Sequence, residues 1–235
     1  MKLEQELIDC IRNAIDAANA AKITNIIFEK GFIRGIDDSK KVIIFQDHDV
    51  PSMPFTALGI NRMDRFVSRF NLVYGQPNFS VEATVAERDD TVSQLTFKCS
   101  GTKVDYRCAN PRAVLAPKVM NDVMKYSAII TPDTVQFLNR GEAAMKMEFV
   151  TFISNDSGVS FEIIDKSNGD VLSHTFGIPA RNIEGEKDNM FAVRYPMKVI
   201  LSLFKRILEG VFYVGKKGML KVTINGIDLY VLPQV

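Results

Sequence analysis

The run Leu95-Thr-Phe-Lys-Cys-Ser-Gly101 aligns without a gap on Leu220-Lys-Val-Thr-Ile-Asn-Gly226, and a second β-prone run follows each. Two such runs joined through a small-residue-Gly pair form a hairpin pattern, because Gly accepts the positive φ of a tight hairpin turn. Upstream of each hairpin a helix-forming stretch follows a short apolar run that opens on Phe, Phe55-Thr-Ala-Leu in one case and Phe191-Ala-Val-Arg in the other. Element order and closing hairpin thus agree between two halves, which reads as an internal duplication. The first half carries about eleven more residues between these landmarks, expected around the acidic Glu87-Arg-Asp-Asp90 stretch. A chain written twice in helices and short strands is constrained to an α+β class of two similar halves.

The helix of the second half is read over 196–210, Pro-Met-Lys-Val-Ile-Leu-Ser-Leu-Phe-Lys-Arg-Ile-Leu-Glu-Gly. Pro at a first helical position and Gly just past the end are its start and stop signals. Met197, Ile200, Leu201, Phe204, Ile207 and Leu208 recur at helical spacing. Lys198, Ser202, Lys205, Arg206 and Glu209 fall within an arc of roughly 100° on the other side. Residues 61–70 repeat the design, with Arg62, Arg65 and Arg69 in one stripe beside Met63, Phe66, Val67 and Phe70. Each half is expected to present one basic helix.

Residues 3–20 space Leu3, Leu7, Cys10, Ile11, Ala14, Ile15 and Ala18 as an amphipathic helix with acids on its outer face. Strands are predicted over 23–28, 32–36, 42–45, 55–60 and 79–86, and a hairpin over 95–99 and 104–108. The Pro-containing, patternless stretch 110–118 is taken as a connector between domains 1–109 and 119–235. Beyond it, 119–130 is ambiguous and ends as a strand; Thr131-Pro-Asp133 then supplies an N-cap and Pro at N1 for a further helix. Strands resume over 148–153, 159–164, 171–176, 190–194, 211–214, 220–224 and 227–232.

Composition narrows function. With 46% hydrophobic residues among 235, the chain can build a real core. No run of about 18 apolar residues is present, which argues against a membrane-spanning helix, and the first residues lack a signal-peptide apolar segment. A cytoplasmic location is therefore expected. Cys10, Cys99 and Cys108 are odd in number and lack CxxC spacing, so they read as half-buried thiols. Basic and acidic residues balance at 29 and 28, yet the acids gather in 37–38, 87–90 and 184–188, leaving the basic helices as separate positive faces.

Catalytic constellations are thin. His48 and His174 stand far apart, and Asp47-His48-Asp49 would point its side chains alternately to opposite faces of a strand, so no metal is expected. Gly215-Lys-Lys-Gly218 lacks the spacing of a phosphate-binding loop and reads as a tight basic turn. No cofactor motif is found, and the chain reads as a non-enzyme. Rigid Arg and Lys faces bind phosphates without reading bases, and the absence of Trp and of aromatic-interleaved motifs points the same way.

This layout, with the Ala113-Val-Leu-Ala-Pro-Lys118 connector, the Met1-Lys-Leu start and a last strand ending Tyr230-Val-Leu-Pro233, resembles the sliding clamps, the ring-shaped processivity factors of DNA polymerases. Among these it looks most like the clamps of T-even-type tailed bacteriophages. The match lies in architecture and in the second half as a whole. The resemblance implies a homotrimeric closed ring, with helices lining the hole and antiparallel sheets outside. Arg62, Arg65, Arg69, Lys198, Lys205 and Arg206 would then face duplex DNA, joined by Arg140 and Lys146. Arg12 would face DNA as well, although it is the lone basic residue of a first helix carrying Glu4, Glu6, Asp9 and Asp16. Either those acids point away from DNA or this helix contributes little.

The resemblance further implies that the ring closes by pairing edge strands of neighbouring copies, a head-to-tail joint closed by rotation. By position these strands contain Val104 and Tyr106 on one side and Val171, Ser173 and Thr175 on the other. A polymerase and a clamp loader would dock peptides near the connector and the C-terminus, which suggests Val114, Leu115, Val231 and Pro233. The competing reading is a non-ring viral structural or assembly protein of two α+β repeats whose basic helices are merely solvated. A third is an enzyme with its site in 119–130 or the Gly215 turn.

Overall fold

A computed structural model describes residues 1–155, 158–177, 181–182 and 191–234. The chain divides into two compact units, Met1–Met120 with Asn225–Ile227, and Asn121–Ile224 with Asp228–Val235. Among the described residues no helix is long and apolar enough to cross a membrane.

The first unit opens with α1 (Gln5–Ala20), whose Leu7, Ile8, Ile11, Ala14, Ile15 and Ala18 are buried as their spacing predicts. Strands β1 (Ile26–Glu29), β2 (Phe32–Ile36), β3 (Val42–Gln46) and β4 (Ala57–Ile60) form antiparallel pairs in the order β3-β2-β1-β4. Asp37 shapes the β2–β3 turn, its carboxylate accepting from the amides of Lys41 and Val42 at 2.6 Å each. After α2 (Met63–Asn71) come β5 (Ser80–Val85), β6 (Val92–Cys99) and β7 (Thr102–Arg107), in the order β5-β6-β7. The first residues extend this sheet: Leu3 N–H donates to Val81 O at 2.9 Å and Ala83 N–H to Met1 O at 2.7 Å. An aromatic cluster fills the space below α2, with Phe66 edge-on to Tyr106 at 4.9 Å and to Phe97 at 5.5 Å. In the connector, Asn110 caps a short 3-10 turn over Pro111–Ala113 by accepting from Arg112 N–H at 3.0 Å.

The second unit contains β8 (Met124–Ile129), α3 (Pro132–Arg140), β9 (Phe149–Asn155), β10 (Gly158–Asp165) and β11 (Asp170–Thr175). Then follow β12 (Arg181–Asn182), β13 (Phe191–Pro196), α4 (Met197–Phe204), β14 (Val211–Gly215), β15 (Leu220–Ile224) and β16 (Ile227–Val231). The Thr131 cap is as expected, a reciprocal capping box with Thr134. A π-helical turn, Gly141–Met145, extends α3. The strand orders are β11-β10-β9-β13 and β12-β8-β14-β15-β16. Phe152, Phe161, Phe204 and Phe212 form the core, with Phe161 stacked on Phe212 at 5.5 Å.

The duplication is explicit in these orders. β3-β2-β1-β4 corresponds to β11-β10-β9-β13, and residues 1–3 with β5, β6 and β7 correspond to β8, β14, β15 and β16. The hairpins aligned by sequence are equivalent, each turning on a residue pair that ends in a left-handed Gly, φ 75° at Gly101 and 79° at Gly226. The extra length of the first half is not held by the 87–90 loop alone. It is spread over the approach to α2, the segment 72–79, the β5–β6 loop and the start of β6.

The helix expected over 196–210 is shorter. Pro196 closes β13 and is the N-cap, with ψ 118°, so Met197 is the first helical residue. Past Phe204 the bonds tighten to i→i−3, as in Arg206 N–H to Leu203 O at 2.9 Å. Glu209 N–H then donates to Ile130 O and Ile130 N–H to Gly210 O, both at 2.8 Å, drawing the chain alongside the end of β8. This pairing ends the helix, leaving Leu208 53% exposed rather than on a buried face.

The Gly215-Lys-Lys-Gly218 turn is basic and tight, and Asp122 holds it. The Asp122 carboxylate accepts from Lys217 N–H at 2.8 Å and from Met219 N–H at 3.0 Å. At Gly218, φ is 84° and an added Cβ would lie 2.8 Å from Val193 Cγ2, so only Gly fits there without strain.

Candidate nucleic-acid interface and partner cleft

In the first unit the basic stripe is built around Tyr106. Its hydroxyl donates to Asn61 O and accepts from Asn61 N–H at 3.1 Å, fixing the chain just ahead of α2. Arg62, the N-cap, adopts a left-handed backbone with φ 50°. Its side chain reaches Arg107 O at 3.4 Å, and Arg62 and Arg69 each place a guanidinium 6.0 Å from the Tyr106 ring. Met63, Phe66 and Phe70 face the core, which leaves Arg62 and Arg65 exposed and Arg69 half-buried. Burial pushes the Tyr106 phenol above its ordinary pKa, so the ring stays a neutral surface for the two cations.

Arg12 has an internal role. It donates to Tyr74 Oη at 2.7 Å, lies 4.5 Å from that ring's centre and approaches Asp16 at 3.9 Å. Glu4, Glu6 and Asp16 are exposed.

In the second unit Lys198 is exposed on α4, while Lys205 and Arg206 are exposed on the turn beyond it. Arg140 ends α3, and Lys146 follows the π-helical turn with φ 52°; both are exposed. α1 packs beside α2 and α3 beside α4. Among the described residues, Arg65, Arg140, Lys146, Lys198, Lys205 and Arg206 have no ion-pair partner, so their charge is available to a ligand.

The two strands suggested for subunit contact each lie at the end of a sheet, β7 in β5-β6-β7 and β11 in β11-β10-β9-β13. On β11, Val171, Ser173 and Thr175 are exposed. His174 turns the other way, its Nε2 3.1 Å from Thr134 Oγ1 and its ring 5.3 Å from Phe137 and 5.2 Å from Phe176. Burial lowers its pKa, partly opposed by Asp133. On β7, Val104 is half-buried, and the Tyr106 side chain is buried in its own unit, so only that residue's backbone is at the sheet edge. His48, the other histidine, is exposed beside Asp47 at 3.2 Å.

Of the residues suggested for peptide docking, Leu115 is 62% exposed and Val114 half-buried. Val231 is fully buried in β16 and lines no surface, while Pro233 is half-buried. Within the second unit a cleft of about 540 Å³ opens on the outward face of β9, β10 and β13. Met147, Phe149, Ile164, Ala192 and Val193 form its apolar walls, and Lys166 and Arg194 are its charged side chains. Gln234 borders it, its backbone N–H donating to Arg194 O at 2.8 Å so that the tail continues the sheet past β13. Sequence reasoning missed Phe149, Ile164, Ala192 and Arg194. The available signal was apolar residues on the outward positions of strands whose inward positions were already apolar.

No protein-family profile and no curated protein sequence matches the chain. Solved structures do. The chain is similar to the proliferating cell nuclear antigen, PCNA, of A. fulgidus with the C-terminal region of FEN-1 bound, at TM-score 0.62 and 16% identity, covering 100% of this chain and 97% of that one. It is similar to the PCNA of Thermococcus kodakaraensis at 0.62 and 12%, covering 100% and 99%. The PCNA2–PCNA3 complex of Sulfolobus tokodaii matches at 0.61 and 13%, again covering 100% and 99%. End-to-end coverage identifies the architecture: the chain has the α+β fold of the PCNA sliding clamps.

Proposed function

We propose that this chain is a DNA sliding clamp, a non-catalytic homotrimeric ring that encircles duplex DNA and tethers a polymerase to raise its processivity. The observation that carries the reading is the repeated unit, which in each copy pairs a clamp-type sheet order with exposed, unpaired cations on and beside its second helix. Arg62, Arg65, Arg69, Lys198, Lys205 and Arg206 contact phosphates without reading sequence, with Arg140 and Lys146 beside them; Arg12 contributes little, being engaged with Tyr74. A loose electrostatic hold suits a ring whose topology provides retention.

The ring closes by antiparallel pairing of β7 of one copy with β11 of the next, through the backbones around Val104 and Tyr106 and the exposed side of Val171, Ser173 and Thr175. Domains 1–109 and 119–235, with the 110–118 connector, are the two clamp-like domains of each subunit. Polymerase and clamp loader dock peptides beside Leu115 and Pro233 and in the cleft at Arg194; peptide docking as such is supported by the similar A. fulgidus PCNA, which has the C-terminal region of FEN-1 bound. The protein works in the cytoplasm, that of the host cell if it is viral, a reading supported by the likeness in layout to T-even-type phage clamps.

Light scattering over a range of protein and salt concentrations tests this reading. A species near three times the 26.4 kDa chain supports it. A strict monomer at high concentration removes the ring and favours a non-ring assembly protein.

A further inference from the structure

The cleft on β9, β10 and β13 carries a charge signature as well as an apolar floor. Among the described residues lining it, only Lys166 and Arg194 are charged, and neither has an ion-pair partner among the described residues. Arg194 is held over the floor, its guanidinium 5.6 Å from the Phe149 ring. Its backbone is fixed on both sides, by Thr151 of β9 and by the Gln234 amide. Lys166 follows β10 directly and shares the cleft with Ile164 two residues before it. Glu162 is paired with Thr151, one strand further from Arg194, and does not line the cleft.

Among the described residues the apolar floor is flanked by two cations and no acid, which is complementary to a segment whose apolar anchors are flanked by carboxylates. It repels a segment flanked by Lys or Arg. We propose that this cleft selects acidic partner segments, seating one or two aliphatic or aromatic anchors on Phe149, Ile164 and Ala192 and pairing Asp or Glu side chains with Lys166 and Arg194. The inference rests on the reading of the cleft as a docking site. Arg194 supplies the directional contact, because a guanidinium grips a carboxylate through two parallel N–H bonds and this one is partly shielded by Phe149. Lys166 acts as an exposed point charge, contributing more to capture than to retention.

The test is selection of a randomised display library, with peptides of about a dozen residues, on the full chain. Selected sequences are then measured as labelled synthetic peptides against the native chain, Ala192→Trp, which fills the cleft, Lys166→Glu and Lys166→Glu/Arg194→Glu. The expected peptides are enriched in Asp and Glu beside apolar anchors and weaken at least about tenfold on Ala192→Trp. They weaken similarly on the double reversal and recover when their acids are exchanged for Lys. Peptides that depend on Ala192 but bind the double reversal undiminished, or show no acidic enrichment, overturn acidic selection and leave the docking reading standing. Peptides indifferent to Ala192→Trp overturn the docking reading and acidic selection with it. Lys166→Glu alone alters only an exposed side chain outside the strand, so a smaller loss in that variant supports the proposal even where the double variant folds poorly.

Discussion

The Tyr106 hydroxyl both donates to the carbonyl of Asn61 and accepts from its amide, so one side chain of β7 fixes the start of α2 from 45 positions away. The contact sets the angle at which Arg62, Arg65 and Arg69 are shown to solvent. Tyr106→Phe keeps the ring but removes both partners of Asn61, and it should destabilise the chain by about 1–2 kcal/mol in urea unfolding. Because the ring still supports Phe66, an unfolding midpoint unchanged from the native chain would mean that the hydroxyl does not hold the helix start.

Arg65→Glu with Lys205→Glu changes one exposed cation in each unit. Neither residue has an ion-pair partner among the described residues, so each change should move stability by no more than about 0.5 kcal/mol. Polymerase processivity on primed DNA should fall, with the gap from the native chain widest at low salt and narrowing as salt screens the contacts. Full processivity in this variant would remove these faces from DNA contact.

Asp122→Ala leaves the amides of Lys217 and Met219 without their shared carboxylate. Two charge-assisted bonds across a tight turn are lost, and thermal unfolding should show a deficit of about 2–3 kcal/mol. Gly218→Ala should cost a comparable amount for a different reason, since its positive φ and the approach of Val193 both oppose a Cβ.

The His174 pKa is lowered in the folded chain by burial, despite Asp133. A depressed folded pKa means that this residue's contribution is fully present above the unfolded value, about 6.5, and is lost as pH falls through the folded value. His174→Phe keeps an aromatic between Phe137 and Phe176 without the titration. The stability difference between native chain and variant should therefore narrow or reverse from about pH 7 to pH 5. A difference independent of pH over that span would show that protonation there is not coupled to folding.

Burial, with Glu6 adding to it, pushes the Cys10 thiol up to about 11, and burial pushes Cys108 up to about 12. Alkylation by iodoacetamide near neutral pH should be at least about a hundredfold slower at these two positions in the native chain than in the denatured one, as read by mass spectrometry. Rapid native labelling of Cys108 would mean that β7 opens readily.

Repetition made most of the fold legible. The gapless match of Leu95–Gly101 to 220–226 located equivalent hairpins, and the Thr131-Pro pair located α3, because turn and cap chemistry is local. The length of α4 was hidden, since the bonds that end it come from Ile130, some eighty positions upstream. The cationic faces could be read because a stripe on a helix follows from spacing alone. The role of the Tyr106 side chain could not: strand alternation does not say which face of β7 meets a helix, and its hydroxyl holds the start of α2. The cleft was invisible for the same reason, as its residues meet only once β9, β10 and β13 are paired.

The N-terminal residues lie alongside β5, with the Met1 amino group donating to Ala83 O across 82 positions. One edge of that sheet is thus covered by residues some eighty positions upstream of the strand they pair with, and it is among the last parts to find its place. Closing so large a loop is slow compared with forming α1 or the β6–β7 hairpin, so the first unit should complete late and in one cooperative step. Until then β5 offers a bare strand edge, at which two nascent chains can mispair.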